Sequence, residues 1–592
     1  MQKITLLVSD GNKDASLTKL RKLGLLHITH LKNPQSREIT NLENKLEDID
    51  GALIILDSNN KKTTAGNIDE KELTNSLQQV LALEKEKQQL LMHVEELTRD
   101  TGWFKEWGDI NPASLIELNK AGIFIKLYIV SPAELKKIGK DKTVKVLKIK
   151  KSKVCLAFIA RQESQKLNYQ QINIPKKSLL SIEKDIVLSQ KKLRKINESL
   201  DKLADLKAVF LEYKEDIKKQ LEFNRVKSGM ADEEGFSYIE GYCPRYSSKK
   251  IKNAAALEGW GILSQEPDKP QETPTLIKNP AWIKVINPVF KIMGAIPGYR
   301  EFDISFWFLL FFTVFVAMLI GDAGYGSLFL AATFFMRKKL SFLKREMIFL
   351  IYILSAATVF WGAVTGTWFG FEKIARLPFL RGAVIPNIAS FGHGDNQIFM
   401  IHICFIIGCI HLTVAHSLAA FRCGTSLKML SQAGWIAIIW SLFFYSEMFV
   451  LGKELPKLAN FLAYAGLFLV LLFSNPEKGV IKGILTALAD IPLKIIGSFS
   501  DVMSYIRLFA VGFATVAMAV SSNAMAGEVL GSTAHVIIKG FLSAIILFLG
   551  HTLNIALAVI GVLVHGVRLN LLEFSNHLGM EWSGKSYAPF KE

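Results

Sequence analysis

The hydrophobic positions divide the chain near Arg300. Beyond it, long apolar stretches alternate with short polar loops, whereas before it apolar and charged residues are finely mixed. About 20 consecutive apolar residues are enough for a helix to cross a bilayer. The pattern therefore predicts an all-α membrane domain of eight transmembrane helices, at about 304–321, 323–336, 346–370, 397–420, 430–451, 458–474, 495–526 and 534–577. The second is short enough to form a hairpin with the first, and the last two must tilt or extend beyond the bilayer.

The N-terminal half starts as a small α/β lobe. Strand-like segments are predicted at Ile4–Val8, 25–29 and Ala52–Ile55, with a helix at 16–24 between the first two. The chain returns to this lobe near 236–264, where a strand-like segment, a helix-like segment and another strand-like segment follow one another.

Two helical segments with heptad-like spacing follow the first part of this lobe. One runs from about Asp69 to Arg99 and the other from about Lys177 to Asn224. Between them, strand-like segments at 123–130 and 154–160 indicate a second α/β lobe. Apolar residues that step by threes and fours favour helices that pack along one seam. The pattern predicts an antiparallel coiled-coil arm that carries the second lobe at its far end.

The expected domains follow from these segments. They are a proximal α/β lobe at 1–68 and 226–265, a coiled-coil arm at 69–100 and 178–225, a distal α/β lobe at 101–177, a linker at 266–300 and a transmembrane domain at 301–592.

Charge is concentrated before the apolar half. The 592-residue chain has a formal net charge of +17 and a mean hydropathy of +0.25, and residues 101–200 alone hold 21 Lys and Arg against 9 Asp and Glu. Within them, the segment Lys136–Lys153 alternates Lys with Val, Leu and Ile. We interpret it either as a solvated strand face or as a docking patch for an acidic protein partner or lipid head groups. No recognition motif accompanies this charge, so we expect no nucleic acid partner.

Loop charges predict the orientation in the membrane. The first residues show no cleavable signal peptide. Basic residues fall in the loops after spans two, four and six, the loop after span seven has none, and the loop after span three is an exception with Lys373, Arg376 and Arg381. The positive-inside rule therefore predicts a multi-pass protein of the cell membrane with both termini in the cytoplasm.

Motifs for nucleotide binding and covalent catalysis do not occur. The sequence has no GxxxxGK[ST], HExxH or GxSxG segment, and its five cysteines are scattered and never form a CxxC. We therefore expect no catalytic site, cofactor or metal in this chain, and we expect its cysteines to be reduced.

The candidate chemistry lies in the last two spans, first of all at Arg507. A charged side chain inside a bilayer costs from about 2.5 to above 10 kcal/mol, so its presence there is a functional hypothesis. Its neighbours at helical spacing are small and let another helix approach: Ser500, Ser504, Ala510, Ala514 and Ser521. Arginine keeps its proton and cannot relay one, but it attracts a carboxylate and holds it ionised.

The last span ends in a second polar group, formed by His565, Arg568 and Glu573. Five residues correspond to about 140° of α-helix, so Arg568 and Glu573 are not expected to share a stripe and need not pair. His565 lies three residues before Arg568 and shares its face. The alternative to a functional group is a cytoplasmic helix end whose charges extend into the membrane interface.

Two further acids are costly inside lipid: Glu447 in span five and Asp501 in span seven. We interpret each either as part of the lining of an aqueous cavity or as the partner in a helix-packing hydrogen bond.

The motifs resemble those of one family. The chain combines an arm-bearing N-terminal half, eight spans, GDAGYG at Gly321–Gly326, SYIRL around Arg507 and HGVRLNLLE around Arg568. In this order they are similar to the I subunit, also called the a subunit, of V/A-type rotary ATPases, in its shorter bacterial or archaeal form. Eukaryotic members tend to have a histidine where this chain has Thr515 and an acid where it has Ala558.

The resemblance implies a stator subunit with no catalytic site of its own. Its 301–592 domain would form ion half-channels against a rotating ring, and so couple H⁺ or Na⁺ transport to ATP hydrolysis or synthesis. The implied translocation residues are Arg507 facing the ring carboxylates, Arg568 supporting it and Glu573 in a half-channel, with His565, Glu447 and Asp501 as further candidates. The implied partners are a ring of proteolipid (c or K) subunits, peripheral-stalk E/G-type heterodimers on the cytoplasmic lobes, a central-stalk connector subunit and membrane lipid.

A secondary transporter or channel with a cytoplasmic regulatory domain is the competing class. It predicts inverted repeats and broken helices near the bilayer midplane. The sequence shows no internal repeat.

Overall fold

The chain forms two compact units. A computed structural model describes residues 1–57, 69–138, 143–150, 153–162, 164–339, 343–390, 394–478, 480–533 and 535–592. The mixed unit comprises Ile4–Gly241, Lys249–Leu263 and Phe590–Glu592, and the helical unit comprises Met1–Lys3, Tyr242–Ser248 and Ser264–Pro589.

Two sheets form in the first 265 residues. Their strands are β1 (Gln2–Ser9), β2 (His27–Thr29), β3 (Phe124–Val130), β4 (Val144–Lys150), β5 (Lys153–Ala160), β6 (Gln171–Ile172), β7 (Ala231–Glu233), β8 (Phe236–Cys243) and β9 (Gly261–Gln265). One sheet has the order β2-β8-β1-β9, with β7 on β8, and the other has the order β4-β5-β3-β6. The predicted mixed α/β character of this part of the chain is confirmed.

Eight helices alternate with these strands along the described part of the first 265 residues. They are α1 (Lys13–Leu23), α2 (Arg37–Asp57), α3 (Glu70–Trp107), α4 (Pro112–Lys120), α5 (Pro132–Ile138), α6 (Leu179–Leu203), α7 (Lys207–Ser228) and α8 (Ser248–Glu258). The predicted strand at Ala52–Ile55 is wrong, because these residues lie in α2. Ile49, Ala52 and Leu56 are completely buried at spacings of three and four, so the apolar run belongs to a helical stripe.

Helices α3 and α6 pack side by side in opposite directions. Leu77 near the start of α3 shares a core with Leu200 near the end of α6, and Leu97 and Phe104 pack on Ile182 at the other end. Helices α2 and α7 join the first of these cores. Four helices therefore share this core, and the predicted two-helix coiled-coil arm is not confirmed.

The second sheet is built on the antiparallel pair β3 and β5. Their register runs from Phe124 opposite Ala160 to Val130 opposite Val154, which confirms the predicted strands at 123–130 and 154–160. Strand β4 lies at the edge and contains part of the basic segment Lys136–Lys153. Residues 139–142 and 151–152 of that segment lie outside the described residues.

The helical unit contains most of the apolar sequence. Its helices are α9 (Asn287–Met293), α10 (Ser305–Ile320), α11 (Ala323–Met336), α12 (Arg345–Thr365), α13 (Glu372–Ala375), α14 (Pro378–Arg381), α15 (Gly394–Cys423), α16 (Lys428–Leu451), α17 (Lys457–Phe473), α18 (Val480–Ser504), α19 (Ile506–Gly531), α20 (Val536–Gly561) and α21 (Ser575–Leu578). Two π-helical segments, Val562–Gly566 and Leu569–Phe574, lie between α20 and α21. Two short strands, β10 (Pro274–Thr275) and β11 (Lys585–Ser586), pair in parallel.

Each predicted span overlaps a helix, but the third extends into the loop 366–370 beyond α12, and the count of eight is not confirmed. Over the described ranges, five helices are long and apolar enough to cross a membrane. A sixth span results if α10 and α11 are counted together, although the two are bent by 117° where they meet. Helix α17 is apolar but shorter. The structure therefore supports a membrane protein with several spanning helices.

The bend between α10 and α11 is held by Asp322, which is 1% exposed. Its Oδ1 accepts the backbone N–H groups of Gly324 at 2.8 Å, Tyr325 at 3.2 Å and Phe369 at 2.9 Å, and its Oδ2 accepts that of Gly370 at 3.1 Å. One carboxylate thus caps α11 and fastens the loop that follows α12. This loop lies directly against α19, the helix that contains Arg507.

The loop approaches α19 so closely that only glycine fits at one position. Gly370 has φ +67°, and a Cβ there would lie 2.7 Å from the Cβ of Ala519. A few residues further along α19, Asn523 Nδ2 donates to Phe369 O at 2.7 Å. Asn554 on α20 reaches the same helix by donating to Thr515 O at 2.8 Å. These contacts set the position of α19 relative to the bend and to α20.

Candidate functional site

Arg507 lies in the first turn of α19, just after the junction with α18. Tyr505 separates the two helices and is completely buried, and its hydroxyl hydrogen-bonds with Nδ1 of His411 on α15 at 2.7 Å. Leu508 is buried on the same side. These two anchors place Arg507 on the open side of the helix, where its side chain is 22% exposed.

Arg507, Arg568 and Glu573 come together around one carboxylate oxygen. Glu573 Oε1 lies 3.4 Å from an Nη of Arg507 and 3.6 Å from Nε of Arg568. The hydroxyl of Ser504 also donates to this oxygen, at 3.1 Å. The Glu573 side chain is 3% exposed, and within the part of the chain that the structure describes its Oε2 has no hydrogen-bond partner. Two guanidinium groups thus share one carboxylate, and the cluster keeps an excess positive charge.

The pairing of Arg568 with Glu573 corrects the expectation that they lie on different stripes. That expectation assumed α-helical geometry, whereas Leu569–Phe574 is π-helical. Backbone hydrogen bonds in a π-helix run between residues five apart, which brings residues i and i+5 to the same side. Arg568 and Glu573 are five apart and face each other for this reason. Such π-helical insertions occur often at functional sites.

The face of α19 next to Arg507 is open and small. Ala510, Ala514, Ala517 and Ser521 are exposed along it. Side chains of this size let a second helix come close to the backbone. Buried residues such as Gly512 and Thr515 occupy the opposite side, against the bend of α10 and α11. The helix therefore presents its charge and its small residues on the same accessible surface.

The other predicted residues occupy different places. His565 lies in the first π-helical segment, and its Nδ1 is buried without a hydrogen-bond partner over the ranges described. Glu447 is 7% exposed on α16, where it forms an ion pair with Lys453 at 2.7 Å and a hydrogen bond with His402. The structure therefore does not join Glu447 to the Arg507 cluster through any contact among the described residues.

Asp501 belongs to a row of polar side chains that the sequence did not reveal. Its Oδ2 lies 3.1 Å from Nε2 of His577, and Nδ1 of His577 lies 2.8 Å from Nε2 of His416. Nδ1 of His416 lies 2.7 Å from Oε1 of Gln432. The row lines a cavity of about 410 Å³.

His577 and His416 are thus site residues that sequence reasoning missed, and Ser504, expected only as a small neighbour of Arg507, proves to hydrogen-bond with Glu573. His577 lies four residues after Glu573, and this spacing was the available signal for it. His416 and Gln432 lie on α15 and α16, far from Asp501 in sequence, so only the fold brings them together.

The chain is similar to proteins named as subunit I of V-type or A-type ATP synthases. The V-type ATP synthase subunit I of Borreliella burgdorferi is 33% identical over 624 residues, covering 100% of this chain and 99% of its own length. The V-type ATP synthase subunit I 1 of Treponema pallidum is 27% identical and covers 100% and 99%, and the A-type ATP synthase subunit I of Methanocaldococcus jannaschii is 28% identical and covers 60% and 55%. No family model matches the chain.

Among solved structures, a crystal structure of the cytoplasmic N-terminal domain of subunit I, homolog of subunit a, of V-ATPase covers 45% of this chain at 15% identity and 100% of its own length. Its TM-score of 0.26 is too low to support a structural argument. The relative that is 33% identical over the whole of this chain and 99% of its own length shows the family. This chain belongs to the V-type ATP synthase subunit I family.

Proposed function

We propose that this protein is the membrane stator of a rotary ATPase, in which Arg507 drives ion release from the carboxylates of a rotating ring. The observation that carries the proposal is the accessible position of Arg507 beside the small-residue face of α19. A ring helix can approach this face closely, and the charge that it meets there is permanent.

Electrostatics explains how this charge would act. A ring carboxylate that crosses lipid is neutral, because it carries a proton or a bound cation. Beside Arg507 in a low-dielectric setting the ionised form is favoured by several kcal/mol in order of magnitude, so the carboxylate releases its ion. The same charge repels a cation that would pass directly between the two half-channels. Ion flow is therefore coupled to rotation.

Glu573 and Arg568 together determine how much net positive charge the site around Arg507 presents to the ring. At 3.4 and 3.6 Å the contacts of Glu573 with the two guanidinium groups are loose compared with an ideal charge-assisted hydrogen bond. Arg507 has five N–H donors, so Glu573 leaves most of them available to a ring carboxylate. Arg568 supplies a second positive charge that keeps Glu573 from neutralising the site.

The half-channel next to Arg507 includes Glu573, His565 and Asp501. The Ser504 hydroxyl lies 3.1 Å from Glu573 Oε1 and 2.9 Å from the backbone oxygen of Asp501, one turn earlier in α18, so Asp501 and Glu573 lie near the same residue. Glu447 and its partners form a separate polar group on α16, which joins the ion path only if water reaches it.

The assembly follows from this role. The helical unit faces a ring of proteolipid subunits within the lipid of the cell membrane, and the mixed unit lies in the cytoplasm with both termini. Peripheral-stalk heterodimers and the central-stalk connector bind the cytoplasmic lobes. This chain contributes ion translocation, and the ATPase subunits of the complex contribute catalysis.

Replacing Arg507 tests the proposal. Arg507→Ala should leave assembly nearly intact and abolish ATP-driven ion pumping in inverted vesicles, because ring carboxylates would no longer be driven to release their ion. Arg507→Lys should also fail largely, since an ammonium group lacks the planar fork and loses its charge more easily when desolvated. Arg568→Ala should lose pumping only in part. Arg422→Ala, which removes an exposed arginine at the end of α15, is the matched control.

Two outcomes would contradict the proposal. Near-normal pumping by Arg507→Ala at normal complex abundance would end the stator role. Purification of the native protein without ATPase subunits and a ring would favour the transporter class instead.

Water access can be measured residue by residue. Cysteines placed at Glu573 and His565, in a protein whose native cysteines are replaced, should react with small water-soluble thiol reagents in membranes. Complete protection at Glu573 would remove it from the ion path. Reaction at Glu447→Cys would add the α16 group to it.

A further inference from the structure

The loop after α12 lies at a membrane surface, because spanning helices precede and follow it. Arg345–Thr365 and Asp395–Cys423 are both long and apolar enough to cross a bilayer. The described part of the connection between them, residues 366–390, contains only short helical turns and irregular backbone. Irregular backbone does not enter the hydrocarbon core where it would face lipid. The loop therefore stays near the plane where lipid head groups meet water, whichever side of the membrane it occupies.

Both ends of this loop are fastened to the helical unit. At one end, the Asp322 carboxylate accepts the backbone N–H of Gly370 at 3.1 Å. At the other end, the backbone N–H of Ile385 donates to Val364 O at 3.0 Å. Between them, α13 packs inward through the buried Ala375. The middle of the loop is therefore held in a fixed place, and its outer side is a defined surface.

The outer side of the loop presents large apolar side chains. Phe379 is 91% exposed, and Phe371, Leu377 and Ile385 are exposed as well. Exposed apolar side chains concentrated on one short segment mark contact with a membrane or with a protein partner. Because the segment already lies at the bilayer surface, lipid is the partner that the two spans themselves bring to it.

Basic side chains stand among the apolar ones. Lys373, Arg376 and Arg381 are all exposed. Arg376 pairs with Glu372, whereas Lys373 and Arg381 form no ion pair with any described residue. In the orientation that the loop charges predict, these residues are outside the cytoplasm, where the positive-inside rule disfavours them. The phosphate groups of lipids supply a reason for their presence, because guanidinium and ammonium groups bind phosphate readily.

We propose that residues 371–385 form an interfacial lipid anchor. Phe379 and Leu377 enter the boundary between head groups and acyl chains, and Lys373 and Arg381 bind the phosphate groups of anionic phospholipid. Apolar side chains beside basic ones are the combination by which surface segments attach to membranes. The anchor rests on the membrane location and the exposure of the loop, and it is independent of the role proposed for Arg507.

The first test measures the insertion of Phe379 into the membrane. The fluorophore NBD is attached to Phe379→Cys, in a chain whose native cysteines are replaced, and the whole complex is placed in vesicles. Nitroxide groups on lipid acyl chains should quench this fluorophore and place it about 5–10 Å into the head-group boundary. Iodide in the water should quench it far less than it quenches the same fluorophore at Leu257→Cys.

Two matched positions calibrate this measurement. Leu257 on α8 is 87% exposed, much like Phe379, but it belongs to the mixed unit, so Leu257→Cys reports contact with water. Phe360 on α12 is also exposed and lies within a spanning helix, so Phe360→Cys reports contact with acyl chains. None of the three side chains is buried, so their replacement removes little internal packing.

The second test addresses the basic residues. Nitroxide-labelled phosphatidylglycerol should quench the fluorophore at Phe379→Cys at lower mole fractions than nitroxide-labelled phosphatidylcholine. One basic residue near an anionic membrane surface strengthens the attraction about fivefold, so Arg381→Gln should need about fivefold more labelled phosphatidylglycerol for the same quenching. Lys457→Gln, which removes an exposed lysine at the start of α17, is the matched control and should change nothing.

Three results would overturn the anchor. Iodide quenching at Phe379→Cys that equals the quenching at Leu257→Cys would leave the loop in water. Protection from both iodide and acyl-chain nitroxides would mean that another protein covers the loop. Equal quenching by the two labelled lipids would remove the phosphate contacts. Arg507→Ala should change none of these readings, so the anchor and the stator proposal succeed or fail separately.

Discussion

Asp322 offers the sharpest test of how the helical unit holds its functional helix. Its carboxylate accepts four backbone N–H groups, three on Oδ1 and one on Oδ2, and it lies almost completely out of solvent. Asp322→Asn keeps the size of the side chain but replaces one acceptor oxygen with an NH₂ donor. Whichever way the amide turns, at least one backbone N–H group, such as that of Gly370, then faces another donor.

The cost follows from the hydrogen bonds. An orphaned buried N–H costs about 1–3 kcal/mol, and each remaining bond falls from the charge-assisted to the neutral range, by about 1 kcal/mol. With three bonds remaining, the free energy of unfolding should drop by about 5 kcal/mol. At about 2–4 °C per kcal/mol for a large domain, the melting temperature should fall by about 10–20 °C.

The assay is thermal unfolding of the detergent-solubilised protein, with its abundance in membranes measured in parallel. The control is Glu372→Gln in the neighbouring helix α13, because Glu372 is exposed and pairs with the exposed Arg376, an interaction worth about 0–1 kcal/mol. A melting temperature of Asp322→Asn within about 2 °C of the wild type would refute the role of the carboxylate in holding the bend.

Three further predictions concern the loop after α12, the basic strand β4 and the buried thiol of Cys243. Gly370→Ala should destabilise the helical unit by at least about 1 kcal/mol, seen in the same melting assay, because its φ is +67° and the new Cβ would collide with Ala519. Lys145→Glu with Lys148→Glu should weaken retention of the peripheral stalk and make assembly sensitive to salt, and unchanged recovery of the complex at high salt would count against a docking role for β4. Burial raises the pKa of the Cys243 thiol to about 11, so at pH 8 only about one molecule in a thousand is thiolate, and mass spectrometry should find this cysteine unmodified by iodoacetamide until the pH approaches 11.

Much of the local structure could be predicted from the sequence, because it depends on periodicity along the chain. Each apolar run after Arg300 overlaps a helix among the described residues, although the third ends in loop, and the strands at 123–130 and 154–160 lie where alternation placed them. The strand predicted at Ala52–Ile55 failed for an instructive reason. Four apolar residues in a row fit either element, and the buried stripe of α2 that decides between them lies mostly in the turns before them, back to Ile39.

The candidate residues themselves were also visible in the sequence, since charge inside an apolar span is costly wherever it occurs. Arg507, Arg568, Glu573 and Asp501 stand out by composition alone. The residues that these four side chains contact do not stand out in the sequence. At 3.6 residues per turn, Arg568 and Glu573 would lie on different sides of an α-helix. The π-helical backbone brings them together, and the apolar periodicity of the sequence does not predict a π-helix.

Tertiary structure alone decided which side chains share a site. His416 and His577 are 161 residues apart, and their contact exists only because α15 and α21 pack together. Asp322 is far in sequence from the Phe369 and Gly370 amides that it binds, yet these bonds set the position of the helix with Arg507. Sequence periodicity specifies which face of each element is apolar, because that depends on local geometry. Pairing between distant elements depends on the packing of the whole unit, and this is why the row of Asp501, His577, His416 and Gln432 became visible only in the folded chain.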